Sequence, residues 1–285
     1  RAGGRLIGFC RTNLFKRLES SGSSFLLSID RHILRNLATW HALEHGLPVP
    51  VGTQSAAMLD TAISDADEDW ADIESSDEAD DGWALDQVPG GRPVDLDAYR
   101  ARAARVYQSY REQFVQRFQW LDADVFTPAL ARDLLADAQG LLGVLQDAGR
   151  WDPSADAKLD LLYDLLSSKH PSDKVLVFTQ FADTALYLTR HLQERGLDAL
   201  EVSTSGSSDP TVLARRFSPH TNGGLRQGET ELRVLVATDV LAEGQNLQDG
   251  HIVVNYDLPW AIIRLVQRVG RVDRIGQKHH TILTY

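Results

Sequence analysis

The chain has 285 residues, 43% of them apolar and 24% charged, with a formal net charge of −11. Such a composition describes a globular chain long enough for one large domain or two small ones, and no apolar run approaches the roughly 20 residues of a membrane span. A single cysteine, Cys10, excludes an intrachain disulfide and a cysteine-based zinc site, and it fits a reducing compartment. The negative charge is unevenly spread. Residues 36–91 hold thirteen acids and no Lys or Arg, and the remainder of the chain is slightly basic. The net charge therefore does not decide whether the partner is a nucleic acid; local patches must. The chain begins Arg1-Ala-Gly-Gly-Arg5 with neither an initiator Met nor a signal pattern, and it stops in strand-like sequence at Tyr285. Both ends are expected to be cuts in a longer protein.

Residues 1–52 read as a basic helical segment. Leu14, Leu18, Phe25, Ile29 and Ile33 recur at helical intervals around Gly22, with Arg11, Lys16, Arg17, Arg31 and Arg35 between them. Its basic face is either solvated or turned toward a phosphate backbone. Residues 53–95 form an acidic insertion expected to be flexible. They contain Asp65-Ala-Asp-Glu-Asp69 and Ser75-Ser-Asp-Glu-Ala-Asp-Asp81, with Trp70 and Trp83 as possible anchors. The acid run lacks the spaced oxygen ligands and turn glycine of a calcium loop, so no metal site is expected there.

Residues 96–151 return to helix. Tyr99, Ala103, Val106, Tyr110, Phe114, Phe118 and Leu121 predict one long apolar stripe, and Pro128 opens a second helix bearing Leu134, Leu141, Leu142 and Leu145. The two helices make a hairpin whose aromatic stripe is core. Residues 152–285 then alternate. A helix from Asp152-Pro153 to Leu166 leads to strand 174–179, helix 181–195, strand 199–202, helix 211–217, strand 232–238, strand 252–256, helix 260–271 and strand 281–285. Apolar strands alternating with helices predict an α/β domain with a parallel sheet flanked by helices, preceded by an all-helical region.

In open parallel sheets ligands gather at the carboxyl ends of the strands. Three polar patches are predicted to fall there. They are Thr179-Gln180, then Thr238-Asp239 with Gly244 and Asn246, and the segment Gln267-Arg-Val-Gly-Arg-Val-Asp-Arg-Ile-Gly-Gln277. Arg271 and Arg274 lie three apart, which on a helix puts both forks on one side, suited to a multiply charged phosphate.

These residues carry a family resemblance. Lys174–Phe181, Val234–Leu247 and Gln267–Gln277 resemble motifs IV, V and VI of superfamily 2 helicases and translocases. The ending Asp273-Arg-Ile-Gly-Gln277 is similar to that of Swi/Snf-like duplex-DNA translocases, nearest the bacterial HepA/RapA type. It departs from the Asp-Arg-Ala-His-Arg pattern typical of eukaryotic remodellers, and Ala242 stands where those carry Ser. The resemblance implies that residues 152–285 are the second, RecA-like motor lobe of an ATP-dependent double-stranded DNA translocase or helicase. It implies that Arg271 and Arg274 act as arginine fingers on ATP, with Gln267 positioning them, and that Asp239 and Gly244 link nucleotide to DNA. Thr179, Gln180, Ser205, Gly206, Thr238 and Asn246 would meet DNA phosphates. Arg215 or Arg216 either adds charge there or forms a structural ion pair.

No Gly-x-x-x-x-Gly-Lys-Ser/Thr occurs, and no Asp-Glu-x-His segment. ATP and Mg²⁺ are thus expected to be bound mainly by an N-terminal RecA-like lobe outside this sequence, and the chain alone is expected to be inactive. The implied partners are duplex DNA, that first lobe, and a protein such as RNA polymerase or a defence complex, in a bacterial cytoplasm and not at a membrane. The alternatives are a lobe of an RNA or strand-separating DNA helicase, and a fragment acting chiefly as a protein-binding module.

Overall fold

The computed structural model describes residues 12–51, 95–204, 209–239, 245–259 and 261–285. The basic residues 1–11 and the acidic segment 53–94, with Trp70 and Trp83, lie outside the described residues. Those described divide into two compact units, one of 12–17, 25–51 and 95–151, the other of 18–24 and 152–285.

Helix α1 (residues 12–20) and helix α2 (Gly22–Glu44) are separated by a break at Ser21, with residues 18–24 belonging to the second unit and the rest of both helices to the first. Strand β1 (Val49–Val51) follows α2, and helix α3 (Leu96–Gln113) begins at Asp95, whose carboxylate accepts from the Asp97 amide. Strand β2 (Gln119–Leu121) pairs antiparallel with β1, and helix α4 (Pro128–Ala148) opens on its proline. Helices α2, α3 and α4 share a core of Ile29, Ile33, Leu37, Ala103, Ala138 and Leu142. Within it Asp30 accepts from the Tyr99 hydroxyl at 2.6 Å and pairs with Arg102 at 3.1 Å.

The expected apolar stripe through Leu121 is too long for the helix that forms. The last helical bond is donated by the Phe114 amide to Tyr110, and Phe118 and Leu121 fall beyond it, in a short turn and in β2. Helical spacing continued by chance into a segment whose backbone bonds were claimed by Val49–Val51, a pairing no local pattern announced.

The second unit is an α/β lobe. Asp152-Pro153 gives only a single 3₁₀ turn, and helix α5 (Ala157–Asp164) starts at Asp156. Strand β3 (Val175–Phe178), helix α6 (Ala182–Glu194), strand β4 (Leu200–Ser203), helix α7 (Pro210–Phe217), strand β5 (Val234–Ala237), strand β6 (Ile252–Asn255), helix α8 (Ile262–Val269) and strand β7 (Leu283–Thr284) complete it. The five strands are parallel in the order β4-β5-β3-β6-β7.

Side chains alternate across a strand, so a sheet covered on both faces needs apolar residues at every position. Leu176 and Phe178 face one core with Leu213, Phe217, Leu235 and Val253, while Val175 and Val177, on the opposite side, are also fully buried. This accounts for the unbroken apolar runs of β3 and β5.

Candidate functional site at the strand ends

The residues at the carboxyl ends of β3, β5 and β6 are tied to one another and to the arginine segment. Directly after β6, Asp257 receives the Thr179 hydroxyl and, at 2.8 Å, the Gln180 amide, so it binds the end of β3 to the end of β6. The Gln180 side chain donates to the Leu258 carbonyl at 2.9 Å. Thr179 is fully buried, and its hydroxyl is committed to a carboxylate. This side chain therefore presents no surface of its own in this structure. Thr238 is also buried at the end of β5, but its hydroxyl has no partner among the described residues.

The three arginines of the motif VI segment have different surroundings. Arg268 is fully buried on α8. It holds Asp239 with both prongs, Nε at 2.6 Å and Nη2 at 3.0 Å, and Nη1 donates to Asn255 Oδ1 at 3.1 Å and the Asp257 carbonyl at 3.2 Å. Its guanidinium also lies over the Phe178 ring. A planar fork with five donors suits this site and an ammonium would not. Asp239 is thus the acceptor of a buried guanidinium, with Arg264 a further 3.5 Å contact.

Helix α8 ends at Val269, where the Gly270 amide donates back to Val266 at 2.8 Å. Arg271 and Arg274 therefore lie past the helix in a run of turns, not on one helical side as their spacing predicted. The reason is local: a β-carbon at Gly270 would stand 3.2 Å from the Val266 carbonyl, and Gly276 has φ of 101°, a conformation open to glycine. Gln277 closes the turn by donating to the Gly250 and Val272 carbonyls, both at 2.9 Å.

Arg274 Nη1 donates to Asn246 Oδ1 at 2.5 Å and Nε to the Gly270 carbonyl at 3.1 Å, while the Leu247 amide donates to the Arg271 carbonyl at 3.3 Å. Motif V and motif VI are in this way joined through Asp239–Arg268, Asn246–Arg274 and a backbone bond. Among the described residues no carboxylate pairs with Arg274. Gln267 is exposed on α8, in company with Ile262, Ile263 and Val266, which are 76%, 60% and 60% exposed. Ser205, Gly206 and Gly244 lie outside the described residues.

Arg215 and Arg216, the other candidates for a phosphate, are both in ion pairs. Arg215 binds Glu229, and Arg216 binds Glu201 at 3.1 Å. Hydrogen bonds from the Arg215 side chain, then from the Arg226 amide, hold the Glu229 carboxyl down to about 2. Sequence reasoning had no role for Arg268 or Asp257. Asp257 had a readable signal: like Asp239, it is a carboxylate set directly after a buried apolar strand.

These three segments stand together at the carboxyl edge of a five-stranded parallel sheet. Residues 157–276 match the helicase conserved C-terminal domain. The chain is 33% identical over 119 residues to the uncharacterized ATP-dependent helicase YqhH of Bacillus subtilis, across 39% of this chain and 18% of that protein. It is 35% identical over 149 residues to the RNA polymerase-associated protein RapA of Cronobacter sakazakii, across 52% of this chain and 15% of that protein. The chain thus spans less than a fifth of the length of these relatives. A solved structure of the C-terminal part of the Fun30 ATPase domain is similar at 16% identity and a TM-score of 0.39, over 55% of this chain and 52% of that one. A likeness so partial adds nothing to the assignment.

Proposed function

We propose that this lobe completes the ATP site of a duplex-DNA translocase or helicase, and that Arg274, with Arg271, meets the γ-phosphoryl group held by a first RecA-like lobe. The observation that carries this reading is the contrast between two arginines of one segment. Arg268 is neutralised by Asp239, whereas Arg274 is held by two neutral oxygens, an amide and a carbonyl. An arginine oriented by neutral acceptors keeps its full charge for an incoming anion. Charge supplied to the equatorial oxygens of a transferring phosphoryl group accelerates the reaction by about 10³–10⁵ in enzymes that use such fingers. Gln267 sits on the exposed side of α8 beside Ile262, Ile263 and Val266, an apolar surface of the kind that marks a docking face.

Mg²⁺ finds no ligand set among the described residues. Among those described, no group of three His, Cys, Asp or Glu is placed to hold a metal ion. No step is derived through it. Gln180 and Asn246, at the strand ends, are the proposed contacts to a DNA strand. An association with RNA polymerase, in the name of one relative, is a further partner reading.

The test uses the protein carrying both lobes. Arg274→Ala is expected to lower duplex-stimulated ATP hydrolysis by at least about 10³-fold, with duplex affinity by fluorescence anisotropy within about threefold of the parent. The 285-residue chain assayed alongside is expected to turn over no ATP. Normal turnover by Arg274→Ala would remove the finger assignment. Stronger stimulation by RNA or by single strands than by duplex DNA would move the substrate to the alternative class.

A further inference from the structure

The turn between α1 and α2 is part of the motor lobe, and its serines are not idle. Ser20, Ser24, Thr179 and Thr184 are all buried; the hydroxyls of Ser24, Thr184 and Ser20 form one chain to Asp257, and Thr179 donates to the same carboxylate separately. Ser20 Oγ donates to Asp257 Oδ2 at 2.7 Å. Its single proton is then used, so the 2.9 Å contact with Thr184 must be donated by Thr184, and the 2.8 Å contact between Ser24 and Thr184 by Ser24. The direction of donation runs Ser24, Thr184, Ser20, Asp257. The partners lie 159 or more residues apart in sequence, so no local preference placed them together.

The backbone of the same turn is pinned as well. Lys158 Nζ donates to the Glu19 carbonyl at 2.8 Å and the Ser20 carbonyl at 3.2 Å, and sits 4.0 Å from the centre of the Tyr256 ring. A cation on carbonyls at a helix carboxyl end is the favourable placement.

Asp257 is the junction. Its Oδ2 accepts from Ser20 and Thr179, its Oδ1 from the Gln180 amide, and its carbonyl from Arg268. Arg268 in turn holds Asp239, and three residues further on the chain reaches Arg271. We propose that Ser20 is a positioning residue of the motor site, holding the Asp257 carboxylate so that the strand ends and the segment bearing Arg271 and Arg274 keep one geometry. The proposal rests on the reading of those arginines as the phosphate-facing groups.

A buried carboxylate fixed by three donors loses its orientation when one is removed. In the protein carrying both lobes, Ser20→Ala is expected to lower kcat for ATP about tenfold while KM for ATP stays within about twofold. Ser20→Thr, which keeps the hydroxyl, restores kcat. In an Asp257→Ala background, Ser20→Ala adds nothing, because its route is already cut.

A second measurement does not depend on activity. Hydrogen exchange of the peptide spanning Gln180 in the 285-residue chain is expected to speed up in Ser20→Ala and to return in Ser20→Thr. Unchanged exchange, or single effects that multiply in the double variant, would overturn the proposal. Should Arg274→Ala keep normal turnover, the motor reading fails by itself, and the exchange result alone then decides whether Ser20 positions Asp257.

Discussion

Arg268, Arg271 and Arg274 stand within seven residues and have different fates. The sequence presents them as one basic cluster. Burial separates them, because a guanidinium taken out of water must be paired and one left at the edge need not be. Arg268→Ala removes the partner of Asp239 and leaves Asn255 and the Asp257 carbonyl without their donor. It is expected to destabilise the lobe by about 3 kcal/mol, the cost of breaking a buried pair. Arg268→Lys is expected to recover little of that, since an ammonium cannot span both carboxylate oxygens and the carbonyl together. Urea denaturation followed by circular dichroism measures both, and a loss under about 1 kcal/mol for Arg268→Ala would show that the pair is replaceable. Which arginine is which could not be read from the sequence, because the spacing is the same whether a side chain enters the sheet or leaves it.

At the scale of elements, starts were more legible than ends. Pro128 opens its helix where its fixed backbone angle says it should. Asp156 went unnoticed because Asp152-Pro153 gives the same signal four residues earlier. Its Oδ1 accepts from the Lys158 and Leu159 amides at 3.1 and 3.0 Å, and its Oδ2 from the Tyr187 hydroxyl at 2.9 Å, joining α5 to α6. A helix cap alone is worth about 1 kcal/mol. Asp156→Ala also strands a buried tyrosine hydroxyl, so the expected loss is about 2 kcal/mol or more. Asp156→Asn, which keeps the cap, should lose about half as much. Equal losses for the two variants in chemical denaturation would show that the charge matters and the cap does not. Strand β2 was missed for another reason. Its partner among the described residues is β1, a three-residue strand far away in sequence, and strands so short carry no alternation to read.

For the whole molecule, the net charge of −11 was a poor guide, since the acids are gathered in one segment. Titration behaviour is set instead by particular buried groups. Burial, with Arg35 and Arg17 nearby, holds the His32 imidazole down to about 4. In the unfolded chain it titrates near 6.5. Between those values the unfolded state binds the proton and the folded state does not, so acid favours unfolding. The contribution is complete above about pH 6.5, falls through that window and is gone below about 4, a total on the order of 3 kcal/mol. His32→Leu is expected to flatten the fall in the thermal midpoint between pH 7 and pH 4.5 relative to the parent chain. An equal fall in both would place the acid sensitivity elsewhere. Glu229 acts in the same direction at lower pH. Its carboxyl is depressed by Arg215, so its contribution is present above its unfolded value near 4.3 and lost as pH falls toward about 2.

The sequence by itself determined the class of this protein. Apolar runs of four residues alternating with helices can be buried only as a parallel sheet covered on both faces, and the polar residues that follow such runs can only stand at its carboxyl edge. Thr179, Asp239, Asn246 and the arginine segment were therefore found together before any coordinate was known. What only the tertiary structure decided is which of them turn inward. Thr179 and Arg268 are buried and committed to carboxylates, Arg274 is held by neutral oxygens, and Ser20 reaches Asp257 from 237 residues away. Those outcomes depend on depth and on partners distant in sequence, and neither is carried by residue type or spacing.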